Sequence, residues 1–306
     1  MDTSNNRGLT VLAALSTHPW AMLPHAWSEL EALCFEDLPT LEQAAPTSRE
    51  RTPSRSRGVM VLPITGTIFP KPNLFTQYGI GTALTDLRQQ FREALQSDAE
   101  TIVFDVDSPG GSVALVDELS AEIFAARNQK KTISVVNPLM ASAAFNLGTA
   151  AQEVVVSPSG AIGSVGVFAQ HVDVSAYEEQ AGIKTTLISA GRYKTEGHPY
   201  APLTNEARSA IQQDVDSYYE DFLGSVARNR DVSRNKVRKG FGEGRVVRAD
   251  EAIAEGMADR TGTLSTVLEG LGAAVPTRAI SADIDQLKLK ILTRQRSAER
   301  KEDSNE

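Results

Sequence analysis

The sequence predicts an α/β protein built on a largely parallel sheet. Short runs of β-branched and apolar residues, such as 101–106 and 132–136, alternate with amphipathic stretches such as 82–97. This alternation is typical of βαβ units, in which the crossover helix makes neighbouring strands parallel. The chain has 306 residues, of which 41% are hydrophobic, and this is enough apolar material for one core of about 200 residues with extensions.

The predicted elements follow one another in a regular order. The pattern predicts strands at 59–68, 101–106, 132–136, 153–156, 164–173 and 184–189. It predicts helices at 82–97, 112–127, 141–151, 174–181 and 204–229, and then a short strand and two helices after residue 241.

The two ends of the chain differ from this core in composition. We interpret residues 1–57 as a helical N-terminal extension, with a polar linker at 46–57. Residues 58–274 form the predicted folded core. Residues 275–306 form a charged tail that we expect to be mobile or to bind a partner.

Composition excludes several classes of function. The net charge of −8 provides no basic field for nucleic acid. One cysteine, Cys34, and four histidines supply neither an internal disulfide nor a zinc site, so we expect no metal and no cofactor. Residues 9–15 are apolar but make a poor signal peptide, and no apolar run reaches the length of a membrane span. We therefore expect a soluble, unexported protein without a membrane anchor.

A serine and a lysine at two predicted strand ends are parts of a Ser-Lys hydrolase. Ser142 lies between alanines where a strand gives way to a helix of small residues, and helix N-termini favour developing negative charge. A lysine acts as a general base only when burial lowers its pKa from about 10.4 to about 7–8. Tyr193, Pro199 and Tyr200 are close to Lys194 in sequence and would shield it from water. Neutral Lys194 would then take the proton of Ser142, which attacks a peptide carbonyl to form an acyl-enzyme.

Backbone amides near this serine are candidates for an oxyanion hole. Gly110 and Gly111 follow the strand 101–106, and glycine lets the backbone approach a substrate closely. The N–H group of Ala143, which follows the serine, is the other candidate. Each of these residues alone has an ordinary structural role in a turn or in close packing, so only the joint pattern favours a hydrolase.

A Ser-His-Asp site is the alternative within the hydrolases. His171 and Asp173 follow Ser142 in the sequence. On one strand, however, alternate residues are about 7 Å apart, so they are not an evident hydrogen-bonded pair. His198 lies close after Lys194 and would line a cleft, or would be an ordinary loop histidine.

Taken together, these motifs resemble the signal peptide peptidase A family of serine peptidases, within the Clp-protease/crotonase superfamily. The resemblance is closest to the phage members, the prohead or capsid-maturation proteases of the lambda C-protein type. It covers about residues 58–272 and rests on DSPGGSV (107–113), MASAAF (140–145), SPSGAIGSVGV (157–167), AGRYKTEGHPY (190–200) and AIAEGMADRTG (252–262). The step of 52 residues from Ser142 to Lys194 also agrees with the spacing in that family.

The resemblance implies a Clp-protease/crotonase-like fold of repeated ββα and βαβ units with a largely parallel sheet. It implies that Ser142 is the nucleophile, that Lys194 is the general base, and that Ser164 helps to hold the lysine. Gly110 or Gly111 would supply an oxyanion donor. The chain has ASAA around the nucleophile where the family more often has ASGG, and we expect the small alanine to alter the pocket rather than to abolish activity.

The function implied by the resemblance is cleavage of scaffold or capsid proteins during phage prohead maturation. The enzyme would be a homo-oligomer located in the host cytoplasm or inside the prohead, and the charged tail would bind scaffold. Two alternatives stay open. One is a bacterial cytoplasmic enzyme that degrades signal peptides or other hydrophobic peptides, and the other is a catalytically silent assembly protein on the same fold.

Overall fold

Two sheets covered by helices form the described part of the chain, which is residue 12, residues 19–34 and residues 53–274 of a computed structural model. The larger sheet contains, in spatial order, β11 (Val246–Arg248), β10 (Ala161–Gly163), β8 (Lys131–Ala141), β6 (Thr101–Ser108), β3 (Val59–Thr65) and β2 (Ser54–Ser56). Two more strands extend it, because β9 (Glu153–Val156) pairs with β8 and with β12 (Arg260–Thr261). The smaller sheet has the order β1 (Trp20–Met22), β7 (Gly110–Ser112), β4 (Thr67–Phe69) and β5 (Gly81–Ala83).

Most neighbouring strands in both sheets are parallel. The pairs β3–β6, β6–β8, β8–β9, β8–β10 and β4–β5 are parallel, whereas β1–β7, β2–β3 and β10–β11 are antiparallel. This arrangement confirms the predicted α/β fold with a largely parallel sheet.

Helices connect the strands and cover the sheets. In chain order they are α1 (Pro24–Cys34), α2 (Leu74–Gln77), α3 (Leu84–Gln96), α4 (Val116–Ala126), α5 (Ala143–Thr149), α6 (Ser175–Gln180), α7 (Asn205–Arg230), α8 (Arg234–Gly240), α9 (Ala249–Ala254) and α10 (Leu264–Gly270). The main core lies between the larger sheet and these helices, where Phe91, Phe104, Phe145 and Phe241 are fully buried. Burial of each such ring contributes about 1.5–3 kcal/mol to stability.

The described N-terminal segment packs on the core through aromatic rings. The ring centroids of Trp20 and Trp27 are 5.0 Å apart, and Trp20 makes an edge contact with Phe69. Phe168 makes an edge contact with Trp27. The near-helical spacing predicted a helix through this region, but residues 20–22 form a strand because the edge of β7 pairs with them.

The sequence-based strand predictions were wrong in several places. The predicted strand 59–68 is divided between the two sheets at Gly66, whose φ of +62° turns the chain. The predicted strand 164–173 contains only one isolated bridge, at Phe168, and residues 184–189 form no strand. Every residue from 182 to 194 is exposed, and a β-branched run needs a neighbouring strand to satisfy its backbone groups.

The carboxylate of Asp259 connects the end of α7 to the strand β9, through an ion pair with Arg230 and a hydrogen bond from Val154. The guanidinium of Arg230 donates to both carboxylate oxygens of Asp259, at 2.6 and 3.1 Å, and Val154 N–H donates to the same carboxylate at 2.7 Å. Burial acts to raise the pKa of Asp259, but the hydrogen bonds from Arg230 and Val154 outweigh burial and hold this pKa below its ordinary value.

Some predictions fall outside the described residues. These are most of the predicted N-terminal extension (1–11, 13–18 and 35–45), the first part of the linker, 46–52, and the charged tail, 275–306. The division of the chain at residues 58 and 274 therefore stays a prediction. Among the described helices, none is both long enough and apolar enough to cross a membrane.

Candidate active site

Ser142 lies at the junction between β8 and α5, where the sequence placed it. Its backbone has φ +55° and ψ −117°, a conformation that a residue with a side chain rarely adopts. Two backbone hydrogen bonds hold it: Ser142 N–H donates to Gly163 O at 2.7 Å, and Asn146 N–H donates to Ser142 O at 3.0 Å. Such strain costs about 1–3 kcal/mol and is typical of functional sites.

The hydroxyl of Ser142 is buried. The residue is 0% exposed, and its Oγ donates to Gly166 O at 3.4 Å. Within residues 19–34 and 53–274, no titratable side chain makes a hydrogen bond to this hydroxyl. The structure therefore holds the serine at the N-terminus of α5 without a bound general base.

Gly110 lies directly against this serine, and no larger residue fits there. Its φ is +97°, and a Cβ atom would stand 2.2 Å from Ala21 O and 2.9 Å from Ser142 Cβ. Gly111 is equally confined, because its Cβ would stand 2.0 Å from Ile68 O. The structure thus brings the glycine pair to the serine, and each glycine is required by close backbone approach.

The candidate oxyanion donors differ in their present partners. Gly110 N–H donates to Ser108 Oγ at 3.2 Å, and this hydroxyl donates to Gly66 O at 2.7 Å. Ala143 is the first residue of α5, so its N–H lies outside the hydrogen bonds of the helix.

Ser164 lies in the loop that borders Ser142. Its φ is +55°, it is 5% exposed, and its N–H donates to Arg245 O at 2.8 Å. The flanking residues Gly163 and Gly166 supply the two carbonyls that accept from Ser142. Ser164 is therefore close to the candidate nucleophile in space, although it lies 22 positions later in the chain.

Lys194 is not brought to Ser142 in this structure. Its side chain is exposed and makes no hydrogen bond or ion pair among the described residues, and its backbone N–H donates to Gly191 O at 3.2 Å. The prediction that tyrosines shield it was wrong, because Tyr193 and Tyr200 are themselves 52% and 38% exposed. The loop 182–200 has no strand beside it that would bury the lysine.

The alternative His and Asp residues serve local structure. His171 Nε2 is 3.1 Å from His198 O. Hydrogen bonds from the side chain and the backbone N–H of Ser175 lower the pKa of Asp173. None of these three groups makes a hydrogen bond to Ser142, so the structure does not form a Ser-His-Asp site.

A polar network beneath α5 was not foreseen from the sequence. Asn146 Nδ2 donates to Asp117 Oδ1 at 2.8 Å, and Ser225 Oγ donates to the same oxygen at 2.9 Å. Asn229 Nδ2 donates to Ser120 Oγ at 3.1 Å and to the backbone O of Asn146 at 3.1 Å. The signal in the sequence was an asparagine four residues after the serine, in a helix of otherwise small and apolar residues. The network fixes α5 to α4 and α7.

Arg127 caps the other end of α5. Its Nε donates to Ala150 O at 2.9 Å, and its Nη2 donates to Thr149 O at 2.8 Å, to Ala151 O at 2.7 Å and to Asn229 O at 2.8 Å. Burial lowers the pKa of this guanidinium. Among the described residues there is no group of three or more His, Cys, Asp or Glu side chains that could hold a metal ion.

The fold and this junction define a class, the α/β proteins that hold a serine at a strained strand-to-helix turn, which includes serine hydrolases. Residues 125–275, just under half of the chain, match the model of Peptidase family S49. This match confirms the family resemblance recognised in the sequence.

Three relatives indicate the range of proteins that carry similar sequences. The head-tail preconnector protein GP5 of Enterobacteria phage P21 is 28% identical over 231 residues, which are 75% of this chain and 46% of that protein. The capsid assembly protease C of Escherichia phage lambda is 29% identical over 203 residues, 66% of this chain and 46% of that protein. A putative protease of Methanocaldococcus jannaschii is 28% identical over 204 residues, 67% of this chain and 63% of that protein. The chain thus spans between 46% and 63% of the length of these relatives.

Proposed function

We propose that this protein is a serine endopeptidase with Ser142 as its nucleophile. The observation that carries the proposal is the strained, buried serine at the N-terminus of α5, pressed against Gly110 in a chain that matches the model of Peptidase family S49. Positive φ at a residue with a side chain is kept only where the surrounding structure enforces it. The polar network and the Arg127 cap support that enforcement by fixing the middle and the C-terminal end of the helix.

In the proposed reaction, Ser142 Oγ attacks the scissile carbonyl and the carbonyl oxygen becomes an oxyanion. The N–H groups of Gly110 or Gly111 and of Ala143 would then donate to it. Loss of one such donor typically reduces kcat by about 10²–10³. Gly110 N–H would have to leave Ser108 Oγ to act in this way, a change of partner over a short distance.

We propose Lys194 as the general base, acting in an assembled state in which it is buried. Only a neutral lysine accepts a proton, and burial is the effect that favours the neutral form. The loop that carries Lys194 also exposes Ile183, Leu187 and Ile188, the last of which is 97% exposed. Apolar side chains left in water favour a covering surface, so we propose that the covering surface is a second copy of the chain in a homo-oligomer. Ser164 would then hold the lysine beside Ser142.

We propose that the substrate is a polypeptide of the phage head, either scaffold or capsid protein, cleaved in the host cytoplasm or inside the prohead. The names of two relatives, a capsid assembly protease and a head-tail preconnector protein, support this proposal. A cellular peptidase that degrades hydrophobic peptides is the second candidate, since the archaeal relative is named a putative protease and has similar identity.

The test compares cleavage of fluorescein-labelled casein, an unfolded polypeptide, by wild-type protein, Ser142→Ala and Lys194→Ala between pH 6 and pH 10. Matched controls are Ser159→Ala and Lys184→Ala, both exposed residues of the same types. We expect both site variants to lose activity and both controls to keep it, and the wild-type rate to rise with pH. Activity in Ser142→Ala equal to that of wild type would reject the nucleophile. Activity kept in Lys194→Ala alone would move the base to another residue.

A further inference from the structure

The strand β1 lies between two backbone segments that border Ser142. On one side it pairs antiparallel with β7, so that Trp20 is opposite Ser112, Ala21 opposite Gly111 and Met22 opposite Gly110. On the other side Trp20 exchanges two backbone hydrogen bonds with Phe168, at 2.8 and 2.9 Å. Residues 20–22 are therefore an extended peptide held on both edges.

This extended peptide passes close to the candidate nucleophile. The point that a Cβ of Gly110 would occupy is 2.2 Å from Ala21 O, 2.9 Å from Met22 Cα and 2.9 Å from Ser142 Cβ. The backbone of β1 and the side chain of Ser142 thus face each other across Gly110. This position contributes to the burial of Ser142, which is 0% exposed.

The pairing with β1 also engages the Gly111 amide. Leu23 N–H donates to Pro109 O at 2.9 Å. This bond shows which opposite residues of β1 and β7 form hydrogen-bonded pairs. Hydrogen-bonded pairs alternate with non-hydrogen-bonded pairs along antiparallel strands, so the next hydrogen-bonded pair is Ala21 with Gly111. Because Gly110 N–H donates to Ser108 Oγ, both glycine amides already have acceptors while β1 is in place.

Only a few residues of β1 pair with the sheet, and the segment is held mainly by its aromatic rings. It pairs with β7 over three residues. The rings of Trp20, Trp27, Phe69 and Phe168 form the apolar contact that holds it. β4 pairs with one edge of β7 and β1 pairs with the other. A second peptide could therefore pair with β7 only after β1 has left.

We infer that β1 occupies the strand position of the polypeptide substrate and is an intrachain inhibitor that must leave before cleavage. An extended peptide binds a sheet edge through its main-chain hydrogen bonds, and a substrate needs such an edge next to the nucleophile. The inference rests on the proposed peptidase function. It adds a latent state to that function, in which residues 20–23 close the site.

A reversible disulfide between β1 and β7 tests the inference. The variant carries Trp20→Cys and Ser112→Cys in a Cys34→Ala background. These two residues form a non-hydrogen-bonded pair with a Cα–Cα distance of about 4.5 Å, which is within the range for a disulfide. We expect the oxidised protein to cleave labelled casein at least about tenfold more slowly than the same sample after reduction. The single variant Trp20→Cys in the same background should not respond to reduction. Equal rates for the oxidised and reduced double variant would overturn the inference.

A second measurement decides the matter without catalysis. Ser142→Cys in the Cys34→Ala background places the one thiol of the chain at the site, and its rate of reaction with Ellman's reagent reports access. Adding Ala21→Pro removes an N–H group from the middle of β1, and Lys184→Pro in the exposed loop is the matched control. We expect Ala21→Pro to raise the reaction rate at least about tenfold, and the control to leave it unchanged, at temperatures below the melting transition of each variant.

The two measurements separate the inference from the proposed function. If the thiol at residue 142 reacts equally fast with and without Ala21→Pro, β1 does not close the site and the inference is wrong. If access rises but no form of the protein cleaves casein, β1 covers residue 142 and the peptidase proposal fails instead.

Discussion

Replacement of Arg127 by methionine is expected to destabilise the protein strongly. The guanidinium donates to four carbonyl oxygens, those of Thr149, Ala150, Ala151 and Asn229. These carbonyls belong to the C-terminal ends of α5 and α7, where the helix itself provides no donor. Thr149, Ala150 and Ala151 are 0% exposed, so water does not replace the lost donor. Methionine keeps much of the apolar volume but removes these hydrogen bonds, together with the cation–π contact of the guanidinium with the Phe124 ring at 4.3 Å.

The magnitude follows from these four bonds. A hydrogen bond to a charged group contributes about 1.5–3 kcal/mol, and bonds that share one donor are not additive. We therefore expect a loss of about 4 kcal/mol in the free energy of unfolding for Arg127→Met. For a domain of this size such a loss corresponds to a decrease of about 10 °C in Tm. Arg127→Lys keeps the charge but has one nitrogen, so we expect it to recover about half of the loss.

Urea unfolding at 25 °C, followed by circular dichroism, measures this effect. The matched control is Arg92→Met, because Arg92 donates to Glu122 at 3.0 Å and its side chain is 56% exposed. An exposed pair of this kind contributes about 0.5 kcal/mol. Equal losses in the two methionine variants would refute the reasoning, because they would mean that the buried carbonyls find other donors.

Three further predictions concern the glycine turn, the ion pair and the general base. Gly110→Ala should cost about 3 kcal/mol or more in urea unfolding because its methyl group meets backbone atoms, whereas Gly182→Ala, with a φ of +70° and open space around it, should cost about 1 kcal/mol. Equal costs would contradict the packing argument. Asp259→Asn should lower stability by about 1 kcal/mol at pH 7, since its carboxylate is partly exposed. The pKa of Asp259 is depressed in the folded protein, so the difference between the two proteins should be lost as the pH falls through that pKa, and a difference that stays constant down to pH 2 would contradict the assignment. Mixing Ser142→Ala with Lys194→Ala tests whether the proposed contact between copies brings Lys194 of one copy to Ser142 of another. We expect the mixture to recover part of the casein cleavage that neither variant has alone, because Lys194 is exposed and makes no hydrogen bond with Ser142 of its own chain. No recovery from two folded variants would place both residues of the dyad in one chain.

Elements with strong local patterns could be predicted from the sequence. The long helix was predicted at 204–229 and is found at Asn205–Arg230, and the strand predicted at 153–156 has the same bounds in the structure. Both segments carry their signal in their own residues, as helical periodicity or as a β-branched run between turns. The junction at Ser142 was predicted for the same reason, since the change from β-branched to small residues is local.

Strands that depend on a distant partner could not be predicted. Residues 184–189 look like a strand but lie exposed, whereas the glycine-rich β7 pairs on both edges. Strand propensity reflects packing and pairing with neighbours more than the backbone preference of the residues themselves. β1 was predicted as part of a helix for this reason, because only the edge of β7 makes residues 20–22 extended.

The sequence by itself determined the α/β class, the resemblance to a peptidase family, and the position of Ser142 at the start of a helix. Local periodicity and short motifs are sufficient for these, because each depends on residues that are neighbours in the chain. Only the tertiary structure decided that Gly110 lies against Ser142, that β1 pairs with β7 beside them, and that Lys194 remains in solvent. Burial and strand pairing depend on contacts between segments that are distant in sequence, and a local sequence pattern does not specify those contacts.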